Sequence, residues 1–256
     1  MIFCIDIGNT NIVLGCYDGD KLPLFSRIST DRSRMSDQYA VEIKDILTLY
    51  GISPADIDGA IVSSVVPSLT APVALAVKRA VGVEALILKR SLYRDLDIKL
   101  DNPKEIGADL VAAAVAAKEK YPLPCIIIDM GTATTITAMD KNGAFLGGAI
   151  LPGVRVATDA LISRTSTLVG ISLEAPDSAI GRSTVDSMKS GAVFGTASML
   201  DGMCERITKE LGGKATVIAT GGLAQVIEPH CKTDIIIDDK LLLEGLKLIY
   251  EKHTTK

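Results

Sequence analysis

Short aliphatic runs alternate along this chain with segments that place apolar residues every three or four positions, the pattern of strands interleaved with helices. A strand-like run, Ile2 to Ile5, opens the sequence. Residues 36 to 50 put Ala40, Ile43, Leu47 and Tyr50 on one face, with Ser36 as N-cap and Gly51 just past the end, so a helix is predicted there. IDGAIVSSVV is predicted as a buried strand, and a helix is predicted to follow Pro72. Pro103 is placed as the first residue of a further helix, running through an alanine-rich stretch to about Lys120. In the second half VIATGG (217 to 222) has the form of a strand ending in paired glycines, and DDKLLLEGLKLIYEKH that of a closing helix. This interleaving predicts an α/β fold with two sheet-centred domains. EKYPLP interrupts the pattern near 117 to 124, which divides the chain into 1–117 and 118–256.

One pattern is written twice. IFCIDIGNTNIVLGCYDGD near the start and CIIIDMGTATTITAMDKNG from Cys125 each run from an apolar strand through Asp-x-Gly and small polar residues into a second strand and a turn. Asp6 corresponds to Asp129 and Gly8 to Gly131, an offset of 123 residues and close to half of the 256. A single strand–Asp–x–Gly turn is common in α/β proteins; two copies at half-length spacing point to two domains of one design.

Composition narrows the function classes. With 48% hydrophobic residues, 4% aromatics and no Trp, the core must be aliphatic. The formal net charge of −4 and the absence of a basic tract argue against binding to nucleic acid or a membrane surface. Residues 59 to 77 carry no charge and are long enough to span a bilayer, but Pro67, Pro72 and several hydroxyl residues mark a strand, a turn and a helix start instead. Five cysteines without a CxxC pair are expected to be free thiols of a cytoplasmic protein. Two histidines in all, one of them in the C-terminal tail, argue against a His/Cys metal site and against Ser–His–Asp catalysis.

The repeated turn suits phosphate and a metal ion. Glycine lets backbone approach phosphate oxygens, exposed N–H groups with Thr and Asn side chains donate to them, and the Asp carboxylate can hold Mg²⁺ through water. Two such turns facing a cleft between domains would hold a nucleotide polyphosphate, with Thr220-Gly221-Gly222 leaving room for the nucleoside. There is no P-loop sequence, no G-x-G-x-x-G opening a helix after a strand, and no G-x-S-x-G elbow.

DIGNTN (6–11) with DMGTATT (129–135) resembles the phosphate motifs of the acetate/sugar kinase, chaperone and actin superfamily. The closer resemblance is to type III pantothenate kinases, on DNPKEIGAD (101–109), IIIDMGTATT (126–135), GGAILPGV (147–154), GRST (181–184) and IATGGLA (218–224), in that family's order and over essentially the whole chain. The resemblance implies two ribonuclease H-like (actin-like ATPase) domains, each a mixed sheet flanked by helices, with ATP in the cleft between them. It implies transfer of the ATP γ-phosphoryl group to the primary hydroxyl of pantothenate, with Mg²⁺, a monovalent cation (K⁺ or NH₄⁺) and a homodimer. By the same resemblance Asp6, Ile7, Gly8, Asn9, Thr10, Asn11, Ile12 and Val13 would bind ATP, with Thr132, and Asp6 would hold Mg²⁺ through water. Gly107, Ala108, Asp109, Leu110, Leu100 and Thr184 would face pantothenate, Asp109 as the base, and Asp129 would ligate the monovalent cation.

Asp109 is also placed near the start of the alanine-rich helix, where the helix dipole is expected to keep it ionised. Leu110 and Leu100 depart from the family pattern, which has Arg and Tyr there, so a different hydroxyl acceptor is an alternative, as is a nucleotide-binding regulatory protein without catalysis. The spacing of Ser187, Gly191 and Gly195 puts small residues along one helix face, open to packing within the subunit or across a dimer; the resemblance favours the dimer. Arg155 and Arg164 are read as surface arginines outside the site.

Overall fold

The computed structural model describes residues 1–254. Its two compact units are one of Met1–Leu96, Asn102–Ala116 and the described residues from Lys240 on, and another of Asp97–Asp101 and Ala117–Asp239.

In the first unit the aliphatic runs form β1 (Ile2–Ile7), β2 (Asn11–Asp18), β3 (Lys21–Ser29), β4 (Gly59–Ser64) and β5 (Ala85–Ile87), ordered β3-β2-β1-β4-β5. β1 runs antiparallel to β2 and parallel to β4. Both faces of β1 are covered, so it reads as a continuous apolar run rather than an alternation. One face packs Phe3, Ile5, Ile7 and Val62 into a core with α1 (Ser36–Leu49) and α2 (Pro67–Val81). Tyr39, not Tyr50, completes the buried stripe of α1; Tyr50 is its exposed C-cap. The helix expected after Pro72 begins five residues earlier, with Pro67 in its first turn, where a missing N–H costs nothing, and Pro72 lies inside it.

The other face of this sheet carries the final helix. After α3 (Ala108–Lys120), and following the second sheet, the chain returns as α8 (Leu241–Thr254) to pack on β1, β2 and β4. Glycines permit this approach: a Cβ on Gly15 would stand 2.6 Å from Leu243 Cδ1, and one on Gly245 1.8 Å from the Ala112 carbonyl oxygen of α3. A division of the chain at 117 assigns α8 to the second half; its packing puts it in the first unit. The helix expected from Pro103 begins at Ala108 instead. Asn102 ties residues 102–105 into a turn of their own, donating to Glu105 Oε1 (2.7 Å) and accepting from the Lys104 N–H (3.3 Å).

The second unit repeats the topology. β6 (Cys125–Met130), β7 (Ala133–Met139), β8 (Phe145–Pro152), β9 (Thr216–Thr220) and β10 (Ile236–Ile237) are ordered β10-β9-β6-β7-β8, with β6 antiparallel to β7 and parallel to β9. Its helices are α4 (Val154–Ser163), α5 (Thr184–Ser190), α6 (Thr196–Glu210) and the short α7 (Ala224–Ile227). Gly191–Gly195 joins α5 to α6 as a π-helical turn, so the small-residue series Ser187, Gly191, Gly195 lies on a continuous helical run interrupted by a bulge. Two mixed sheets of the same order, each flanked by helices, are the doubled α/β design expected from the repeat. Among the described residues no helix is long and apolar enough to cross a membrane.

Candidate active site

In the first unit Asp6 is the penultimate residue of β1, only 6% exposed, and stands in register with Val13 of β2 and Ser63 of β4. Gly8, Asn9 and Thr10 form the turn into β2. The Gly8 N–H donates to the Asn11 carbonyl (3.0 Å), and the loop after β3 fastens the turn from outside: Thr30 donates its hydroxyl to the Gly8 carbonyl (2.7 Å) and its N–H to that of Thr10 (2.9 Å). Arg32 donates to the Asn9 side-chain oxygen (3.0 Å). A Cβ on Gly8 would stand 3.0 Å from the Asn11 carbonyl oxygen, a tight contact with backbone that glycine avoids. Asn9, Thr10 and Asn11 are exposed, whereas the Ile7 and Ile12 side chains belong to the core, so these two can offer a ligand only backbone.

The second element of the site in this unit is the start of α3. The Gly107 carbonyl accepts the Val111 N–H (3.1 Å), opening the helix, and Asp109 sits in its first turn beside Ala108 and Leu110, all half-buried. The Leu110 N–H donates to Asp109 Oδ1 at 2.8 Å. Burial raises the Asp109 pKa above the usual carboxylate value, and the backbone N–H groups of Leu110 and Asp109 oppose that shift without cancelling it. The helix start and the burial thus pull in opposite directions on this group, and the net direction is upward. The result is a carboxylate with a strengthened hold on a proton, suited to accepting one from an alcohol.

In the second unit Asp129 occupies the same strand position as Asp6, in register with Thr135 of β7 and Thr220 of β9. Its turn, Gly131-Thr132, is one residue shorter and is gripped from two sides. The Gly153 N–H donates to the Thr132 carbonyl (3.0 Å), and a Cβ on Gly153 would lie 2.4 Å from the Gly131 carbonyl oxygen. Gly221 (φ +95°) brings the TGG turn onto Met130, where a Cβ would meet backbone nitrogen at 2.6 Å. Three signature segments far apart in sequence thus converge on one exposed turn, with Thr132 at its tip. Gly153 was legible only as part of the GGAILPGV segment and Thr135 only as the end of DMGTATT; Ser63 and Thr30 left no signal, because strand register and loop closure are not written in any local pattern.

Thr184 opens α5, capped by Ser183, whose hydroxyl accepts the Asp186 N–H (3.1 Å). It lines a cavity of about 410 Å³ between α4, α5 and α6, walled by Val154, Leu161, Leu168 and Met188, with hydroxyls from Thr158, Ser187 and Thr196. Leu100 lies in this unit too. Its segment bridges to β8, with the Lys99 N–H donating to the Phe145 carbonyl (2.8 Å), and its Cδ2 stands 3.3 Å from where a Gly147 Cβ would be. The six expected pantothenate contacts therefore fall into two groups, Gly107 to Leu110 in the first unit and Leu100 with Thr184 in the second. Among the described residues no three His, Cys, Asp or Glu side chains gather into a metal-holding group.

Comparison with known proteins identifies the design. The sequence model of the type III pantothenate kinases matches residues 2–206. A type III pantothenate kinase of an Exiguobacterium species is 43% identical over 253 residues, covering 99% of each chain, and that of Moorella thermoacetica is 39% identical over 254 residues, covering 99% of this chain and all of its own. Among solved structures, component A of (R)-2-hydroxyglutaryl-CoA dehydratase from Acidaminococcus fermentans aligns over the full length of both chains with a TM-score of 0.57 at 16% identity, a likeness of fold. The chain belongs to the type III pantothenate kinase family.

Proposed function

We propose that this protein transfers the γ-phosphoryl group of ATP to the primary hydroxyl of pantothenate, giving 4′-phosphopantothenate, the first step toward coenzyme A. The observation that carries this reading is the full-length match to type III pantothenate kinases in a chain that keeps a half-buried carboxylate, Asp109, at the start of α3. Asp109 accepts the proton of the attacking hydroxyl as it bonds to phosphorus. The Gly8–Asn11 turn and Thr132 bind ATP through exposed backbone N–H groups and hydroxyls, and the core-facing Ile7 and Ile12 hold the turn in place. Phosphoryl transfer asks mostly for positioning and charge neutralisation, work for which a turn anchored at a sheet end is suited. The threonine-edged apolar cavity at Thr184 suits a substrate with a branched aliphatic body and polar ends.

The donor sets at the strand ends suit hard cations. Asp6 and Asp129 offer carboxylate oxygens beside hydroxyls, and Ser63 Oγ and Thr135 Oγ1 are buried without a hydrogen-bond partner among the described residues. Asp6 would hold Mg²⁺ through water and Asp129 the K⁺ or NH₄⁺ ion; bound cations neutralise charge on the polyphosphate. A cytoplasmic homodimer is part of the same reading. It is supported by apolar side chains left exposed on the second unit, Ile150 (77%), Leu161 (49%) and Val156 (43%), and by Gly191 and Gly195, where an added Cβ would meet nothing within 4 Å.

The test is ADP release from Mg-ATP with K⁺ or NH₄⁺, with and without pantothenate, beside the Asp109→Asn variant. Pantothenate-dependent turnover lost in the variant is the expected result, and the KM for pantothenate reports what Leu100 and Leu110 cost. Nucleotide binding without pantothenate-dependent turnover would overturn the assignment.

A further inference from the structure

Two buried hydroxyls, Ser63 Oγ and Thr135 Oγ1, have no hydrogen-bond partner among the described residues, and each belongs to a residue in register with the strand-end aspartate of its own unit: Ser63 with Asp6, Thr135 with Asp129. Ser63 is fully buried. Its neighbour Val62 faces the core shared with α1 and α2, so Ser63 faces the opposite side of the sheet, the side to which Asp6 also points, about 4.8 Å away across adjacent strands. Packing gives no reason for a serine there. An unsatisfied hydroxyl in a dry site is unfavourable, whereas an apolar side chain there would carry no such cost. The adjacent Ser64 has a structural role at the start of α2, where it accepts the Val66 N–H (3.1 Å) and a hydrogen bond from Thr70 (2.9 Å). Ser63 does none of this.

We propose that Ser63 is a positioning residue of the nucleotide site: when Mg-ATP is bound, its hydroxyl donates to the Asp6 carboxylate and holds that carboxylate turned toward the hydrated Mg²⁺. The proposal rests on the kinase reading above. Outer partners that orient a metal-facing carboxylate characteristically change metal-linked affinity about 10- to 100-fold when removed. At Asp129 the unpartnered hydroxyl comes from the other side, Thr135 of the antiparallel neighbour β7, while Thr220 of β9 holds the position that corresponds to Ser63.

Calorimetric titration of the full-length protein with a non-hydrolysable ATP analogue, in Mg²⁺ and in EDTA, tests this with Ser63→Ala beside the wild type. Ser63→Ala is expected to melt no lower than the wild type, to bind about tenfold more weakly in Mg²⁺, and to bind equally in EDTA. Unchanged affinity in Mg²⁺ would overturn the proposal and leave the kinase reading standing. An equal loss in Mg²⁺ and EDTA, or a clearly lowered melting temperature, would make Ser63 a structural residue and overturn it as well. A wild type that binds no Mg-nucleotide would overturn both.

Discussion

A Cβ placed on Gly107 would stand 2.4 Å from Oδ1 of Asp109, so the absence of a side chain at 107 is what lets the carboxylate occupy its position at the head of α3. The obstructed atom is the tip of a side chain and can swing aside. Gly107→Ala is therefore expected to leave stability near the wild-type value, the backbone gaining slightly from a stiffer unfolded chain. Activity suffers instead, because a displaced base no longer meets the hydroxyl. We expect kcat to fall roughly 10- to 100-fold with an unchanged melting temperature, read by steady-state kinetics beside thermal unfolding.

The raised pKa of Asp109 has two consequences of opposite sign. As a base the group must be ionised, so kcat/KM is expected to rise with pH through a limb displaced above the ordinary carboxylate range. For stability, the folded state holds this proton more tightly than the unfolded chain does. Its contribution is thus favourable at low pH and is lost as pH rises through the folded-state value. Asp109→Asn, neutral throughout and still able to accept the Leu110 N–H, is expected to lose about 10²- to 10⁴-fold in turnover. It is also expected to melt higher than the wild type at pH 7, with the difference shrinking toward pH 4. A variant that melts lower at pH 7 would contradict the desolvation of Asp109.

Gly153 and Gly221 differ from Gly107 in what they face. Their missing Cβ atoms would strike backbone, at 2.4 Å from the Gly131 carbonyl and 2.6 Å from the Met130 nitrogen, and Gly221 also has a positive φ. Backbone cannot swing aside, so either alanine substitution must shift the Gly131-Thr132 turn. We expect a loss of about 1–3 kcal/mol in denaturant unfolding for each, together with a raised KM for ATP.

The five cysteines are free; four are buried, and Cys231 is half-buried. Burial pushes the Cys16 and Cys204 thiols up to about 11 and the Cys125 and Cys231 thiols up to about 12, with Cys4 raised as well. At pH 8 the nucleophilic thiolate is then scarce at every site. Titration of the native protein with a chromogenic disulfide is expected to show no rapidly reacting thiol, and all five after unfolding in guanidinium. A fast native thiol, Cys231 being the most accessible, would show that the site opens.

What could be read directly from the chain is what depends on neighbouring residues. Aliphatic runs bounded by turn residues marked the strands, the Asp-x-Gly turn written twice revealed the doubled design, and glycine and hydroxyl residues at fixed spacing pointed to the phosphate turns. Helix interiors were legible for the same reason, since burying one face demands a period. Helix starts were less so. Pro67 and Pro103 are both acceptable first residues, and the choice fell to local hydrogen bonding, Asn102 drawing Pro103 into a turn.

Strand register and chain return, by contrast, came only with the folded molecule. Folding set Ser63 beside Asp6 and Thr135 beside Asp129, closed Gly153 and Gly221 onto one turn, and carried α8 back across more than 200 residues to the first sheet. It also brought desolvation to Asp109: the helix start favours the ionised carboxylate, and the burial that opposes this exists only once surrounding residues are packed around it. Pairings between distant segments leave no period in a single chain, because each is fixed by the shape complementarity of surfaces that folding alone brings together.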